Sequence, residues 1–229
     1  MKTPSTANND PERGLTITSD TPTPPARHIR ALTARSGLEG AEAAWRHADE
    51  RGDPSGACNL GVLLHERRDL NGAEAAYRRA DERGDPGGAC NLGVLLHERG
   101  DLKGAEAAWR HADERADAGG AYNLGVLLHE RRDLEGAEAA WRRADERADA
   151  GGAYNLAMLL AQRGDLEAAE AAYRRADERG HPGSASKLEV LLKERGDLEG
   201  AKAAWRLAAD TPDQQVTTLG RDALSPTDD

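Results

Sequence analysis

The chain has no Phe, only four Trp and four Tyr, and two Cys in 229 residues. So few bulky side chains exclude one large globular core. Two thiols make neither a disulfide framework nor a cysteine-rich metal site. No run of about 18 apolar residues is available to span a bilayer, and the opening MKTPSTANND lacks the apolar stretch of a signal peptide. The expected compartment is therefore cytoplasmic, with no membrane partner. Excess positive charge is also missing: the net charge is -10 and the pI about 5.3. Binding to a phosphate backbone depends on Lys and Arg displacing counterions, so nucleic acid is not an expected partner.

Ala, Gly, Arg and Glu are abundant, a composition suited to many small helix contacts in which short side chains let helices approach closely. The preference for Arg over Lys, with so much Ala and Gly, suggests GC-rich coding and a bacterial source. Residues 54–85 and 86–117 are identical at 26 of 32 positions, and the register continues through 118–149, 150–181 and from 182 onward. LEGAEAAWRHADER at 38–51 is the second half of a further unit, whose degraded first half is expected from about residue 22. Self-similarity at this period means a solenoid, here about six helix pairs.

Within a unit, Ala57, Leu60, Gly61 and Leu64 fall at i, i+3, i+4 and i+7, the stripe of an amphipathic helix. Asp53 is placed to cap it and Pro54 suits its first turn. The helix should stop near Arg67 or Arg68, and Asp69 should cap a second helix over 70–83 whose buried stripe is Ala73, Ala76, Tyr77 and Ala80. Gly84 ends it. Glu74 and Arg78 form an i,i+4 pair on what reads as a solvated outer face. Trp45, Tyr77, Trp109, Trp141, Tyr173 and Trp205 share one slot of the second helix, where an aromatic among alanines reads as core rather than as a stacking surface for ligand.

The string YNLGVLLHERRDLEGAEAAWRRA at 122–144 resembles the tetratricopeptide repeat family, and its Sel1-like branch nearly as closely. The matching signs are Asn-Leu-Gly in the first helix, the Asp turn, then Ala, an aromatic four residues on, and Ala three beyond it. The likeness covers about 22–210, although the unit is two residues shorter than the usual tetratricopeptide. It implies an all-α, right-handed α-solenoid of about six helix-turn-helix repeats of 32 residues, with 1–21 and 211–229 as disordered tails.

The resemblance also implies a concave groove, lined by the first helices, that binds a protein or peptide partner. Its rows would be Cys58, Cys90, Tyr122 and Tyr154; Asn59, Asn91, Asn123 and Asn155; Val62, Val94, Val126 and Met158; His65, His97 and His129; and Glu66, Glu98 and Glu130. An Asn ladder can pair with the backbone of an extended peptide, or each Asn can bond a neighbouring helix and fix the stack. The Lys and Arg of a carboxylate clamp are missing before each Asn.

No catalytic site, cofactor or metal is expected. The three His recur one per unit on helices roughly 8–10 Å apart, too far to share an ion that needs nitrogens at about 2 Å. They are read as groove histidines facing solvent. Cys58 and Cys90 are separated by the same spacing and are read as reduced thiols. Near-identical repeats display one group at intervals instead of converging different groups on a reacting atom. A protein-binding scaffold is the first expectation; a homo-oligomer formed by stacking or docking of copies is the competing one. In the last unit, Lys187, Glu189 and Lys193 replace Asn, Gly and His, as an end unit with no covering neighbour requires.

Overall fold

The computed structural model describes residues 40–209; the expected tails and the half-unit from residue 22 lie outside them. Eleven helices follow one another with no strand among the described residues. Helix α1 covers 40–50. First helices of the units are α2 (Pro54–Glu66), α4 (Pro86–Glu98), α6 (Ala118–Glu130), α8 (Ala150–Gln162) and α10 (Ser184–Glu194). Second helices are α3 (Leu70–Glu82), α5 (Leu102–Glu114), α7 (Leu134–Glu146), α9 (Leu166–Glu178) and α11 (Leu198–Ala209).

The repeated Asp residues cut the chain at these points. Asp53 accepts a hydrogen bond from the Ser55 backbone N–H, and Asp69 accepts one from that of Gly72. Every later helix through α9 begins the same way, and each such cap stabilises by about 1 kcal/mol. Second helices stop at a left-handed residue: Gly84 has φ of 89°, and Ala116, standing in its place, has φ of 62°. A side chain there is strained by roughly 1–2 kcal/mol, which the fold carries because the helix on each side is capped.

Each second helix lays its alanines and one aromatic against its own first helix. Ala73, Ala76, Tyr77 and Ala80 are buried, and Trp45, Trp109, Trp141 and Tyr173 fill the same slot in their units. The side chain of Trp205 is outside the described set. Gly61 and Gly125 make room for these rings: a Cβ on either would sit 2.5 Å from Tyr77 or Trp141. On the first helix the buried leucines are Leu60 and Leu63, not Leu64, which is half-buried. This helix is pressed from two sides, by its partner in the unit and by the neighbouring unit, so the apolar face is wider than the single stripe read from sequence.

The curvature follows from how units stack. Successive first helices, α2 on α4, α4 on α6 and α6 on α8, pack directly, whereas successive second helices approach one another far less. First helices therefore line the inner, concave side and second helices the outer side.

Candidate binding groove

On the inner face the contacts between units are made by small groups. Asn91 Nδ2 donates to Cys58 Sγ at 3.7 Å, and Asn123 Nδ2 to Cys90 Sγ at 3.8 Å. In the next unit Tyr122 replaces Cys and hydrogen-bonds Asn155. A Cβ at Gly151 would lie 2.8 Å from the Tyr122 ring, so Gly151 lets that ring lie across the helix junction. Each of these three Asn side chains thus uses an amide group to join its unit to the one before. Asn59 has its Oδ1 buried without a partner among the described residues.

Burial pushes the Cys58 thiol up to about 12 and Cys90 well above its ordinary value, so neither is a thiolate at neutral pH. The histidines expected to face solvent are instead half-buried against the aromatic of their own unit. His65 meets Tyr77 edge-on at 6.3 Å, His97 lies 5.7 Å from Trp109, and His129 lies 5.5 Å from Trp141. His65 Nε2 also lies 3.0 Å from Glu98 Oε2 on the next helix. Among the described residues no three His, Cys, Asp or Glu side chains gather as metal ligands would.

Val62, Val94, Val126 and Met158 are half-buried along the same face, and Glu66, Glu98 and Glu130 are exposed at its edge. At the opposite edge stand the helix-capping Asp85, Asp117 and Asp149. Burial raises the carboxyls of Asp117 and Asp149 above the usual range, and each also feels the negative charge of the preceding capping Asp. The groove row ends in the fifth unit. There His181 stands where earlier units have Asp, stacks on Tyr154 at 4.1 Å and lies 3.1 Å from Ser184 Oγ. Helix α10 consequently starts from Gly183 with no side-chain cap.

The outer face is solvated, as the Glu74–Arg78 pair suggested, but its charges also join neighbouring units. Glu74 binds Arg78 at 2.5 Å and also Arg99 of the next unit, and Glu106, Glu138 and Glu170 repeat the pattern with Arg131, Arg163 and Arg195. A second set is more buried. Asp145 accepts from Arg175 and, at 2.6 Å, from Arg179; Asp113 holds Arg143 and Arg147, and Asp49 holds Arg79 and Arg83. Burial alone would raise the Asp145 carboxyl, but the hydrogen bonds and charges of the two Arg outweigh it and hold it below its ordinary value. The signal for this ladder was in the sequence, as the recurring R-R-A-D-E-R, but its partners are 30 and 34 residues apart and show only when units are superposed.

A helix-pair stack with this register and curvature agrees with what known proteins show. Residues 150–179 match the family model for the tetratricopeptide repeat. The chain is an α-solenoid of helix pairs whose fold is like that of tetratricopeptide and Sel1-like repeat proteins. It is similar to the Sel1 repeat protein from Oxalobacter formigenes at 19% identity and a TM-score of 0.62, with 86% of this chain and 89% of that chain covered. It is likewise similar to c5321, a protective antigen of uropathogenic Escherichia coli displaying an SLR fold, at 19% identity and a TM-score of 0.65; the match covers 76% of this chain and 42% of c5321. YrrB, a TPR protein with an unusual peptide-binding site, is 22% identical with a TM-score of 0.53 over 80% of this chain and 100% of YrrB. At such identities the likeness of this solenoid to those structures is one of fold. No curated protein sequence matches it significantly. None of its described helices is long and apolar enough to cross a membrane.

Proposed function

We propose that the solenoid is a scaffold without chemistry of its own, and that its inner groove binds an extended segment of another protein. The observation that carries this is the unequal use of the two faces. Charges on the outer face are consumed in contacts between units, while the inner face keeps half-buried Val and Met, exposed Glu and a Tyr over the helix junction. A concave patch of mixed apolar and polar groups is what a recognition surface presents. In this reading Asn91, Asn123 and Asn155 hold the stack with one amide group and leave their remaining amide capacity to a ligand backbone, alongside Tyr122, Tyr154, the histidine row and Glu66, Glu98 and Glu130.

End-to-end association of copies has less support. Leu207 and Ala209 stand in the register of Arg175 and Asp177, so the ion-pair ladder is not continued by the last unit's sequence.

Selection of peptides from a display library on the full chain tests the groove. Substituting Val94→Gln with Tyr122→Ala should weaken the selected peptides by about fivefold or more, whereas Arg110→Gln with Arg142→Gln on the outer face should leave affinity unchanged, because binding energy concentrates where aromatic and apolar groups are covered. Equal losses in both variants would sink the proposal.

A further inference from the structure

The charges of the solenoid are sorted by face, and the sorting says what the groove can hold. Helices α2, α4, α6 and α8 contain no Lys and no Arg. The arginines that follow them as C-caps, Arg67, Arg99, Arg131 and Arg163, are turned outward onto Glu42, Glu74, Glu106 and Glu138. Among the described residues Glu66 and Glu130 have no ion-pair partner and Glu98 meets only His65, whereas Glu74, Glu106, Glu138, Asp113 and Asp145 each hold two arginines. The protein therefore has ample cation but places no Lys or Arg on the first four first helices; Lys187 and Lys193 appear only on α10, where the groove rows end. A Glu row that meets no Lys or Arg in a concave, partly apolar surface focuses a negative potential.

Floor and rims together define a shape. The carboxylate rims lie at the two ends of 13-residue helices, about 20 Å apart at 1.5 Å per residue. Between them run Val62, Val94, Val126 and Met158. Adjacent first helices lie roughly 8–10 Å apart, and a chain extended in the polyproline II form advances about 3.1 Å per residue with three residues per turn, so one unit of the groove corresponds to about three residues of ligand and every third side chain returns to the same side.

We propose that the inner groove takes an extended, Lys- or Arg-rich segment of a partner protein, its cations recurring about every third residue against Glu66, Glu98 and Glu130 and its aliphatic stems on the Val and Met row. This rests on the groove reading given above and adds the chemistry of the occupant. The apolar row suits such a segment, because Lys and Arg lay their methylene stems on apolar surface while the charged head reaches the rim.

The test uses the full chain and three labelled peptides of about twelve residues, identical except that every third position is Arg, Gln or Glu. The Arg peptide should bind at least tenfold more tightly than the Gln peptide, and the Glu peptide should not bind. Raising salt from about 50 to 300 mM should weaken the Arg peptide several-fold, as screening requires. The triple variant Glu66→Gln, Glu98→Gln, Glu130→Gln should lose that preference while its thermal unfolding stays unchanged, since these side chains are exposed. Val94→Gln should weaken both the Arg and Gln peptides.

Equal binding of Arg and Gln peptides, both lost in Val94→Gln, would overturn the cationic ligand and leave the groove standing. Arg-peptide binding untouched by both the triple variant and Val94→Gln would overturn the groove as its site. Equal competition by free spermine at matched charge would reduce the effect to non-specific counterion attraction and overturn a peptide occupant. A dimer that dissociates in the triple variant would give the groove to a second copy and overturn the proposal in that form.

Discussion

The inner and outer rows of the solenoid face the same task, joining one 32-residue unit to the next, and solve it with different chemistry. Inside, where first helices pack directly, the joints are Cys, Asn and Gly: Asn123 reaches Cys90, and Gly151 admits Tyr122. Outside, where second helices diverge, long Arg side chains bridge the gap to Asp and Glu. Side-chain length therefore tracks curvature. Lengthening inner joints or removing outer charges should each damage stacking, but by different amounts and with different dependence on salt and pH.

The largest effect should come from the tight packing within a unit that supports both rows. Gly125→Ala pushes a methyl into Trp141 and should cost about 1–3 kcal/mol in chemical denaturation. Gly61→Ala, against the smaller Tyr77, should cost under about 1 kcal/mol, because the fourth unit already combines Ala157 with Tyr173. Equal losses would show that ring size does not set the requirement for glycine.

Next in size, Asp145→Asn on the outer row should destabilise by about 1–2 kcal/mol; the two arginines it leaves behind are partly exposed and rehydrate, which keeps the loss below that of a fully buried pair. On the inner row Asp117→Asn should be neutral or slightly stabilising, because Asn still caps the Gly120 N–H and removes a carboxylate whose charged form burial opposes. If both substitutions destabilise equally, the contrast between rows is false.

The same contrast predicts a two-part pH profile. Asp49, Asp113 and Asp145 are held below their ordinary values, so their contribution is complete above about pH 4 and is lost as pH falls through the depressed values. Asp117 and Asp149 are raised, so the folded state carries a penalty at neutral pH that is relieved as pH falls towards about 4. The melting temperature should hold or rise slightly from neutral pH to about 4.5 and then drop steeply. Asp117→Asn with Asp149→Asn should abolish the shallow rise, and Asp113→Asn with Asp145→Asn should blunt the acid drop.

The smallest effect belongs to the outermost pairs. Glu106→Gln weakens its links to Arg110 and Arg131 and should cost under about 1 kcal/mol, vanishing in high salt. A loss that persists in high salt would mean that packing of the side-chain stems, and not charge, supplies the joint.

The helix pairs, their Asp caps and the Ala-aromatic stripe were legible in the sequence because they depend on spacings of three, four and seven residues within one unit. Leu63 was missed in favour of Leu64 because a helix flanked on two sides buries more than one stripe. The joining role of the outer face was missed because Glu74 has a visible partner four residues away in Arg78, while its second partner, Arg99, is 25 residues distant. The rows themselves follow from the 32-residue period, but the sequence could not say which side chains were already engaged. Asn91 is tied to Cys58 and His97 lies against Trp109, whereas Glu66 and Glu130 stand without an ion-pair partner among the described residues.

The outer ladder has a direction: the Asp of one unit meets two basic side chains of the unit that follows, two Arg at Asp49, Asp113 and Asp145, and His111 with Arg115 at Asp81. The interior joints are therefore close variants of one design. Excising or duplicating a stretch of 32 residues between 54 and 181 would bring together matching acceptor and donor surfaces, except where the splice sets Ala157 against a Trp in place of Tyr173. Recombination between the nearly identical coding segments can thus lengthen or shorten the protein in whole units, and each change adds or removes one register of groove.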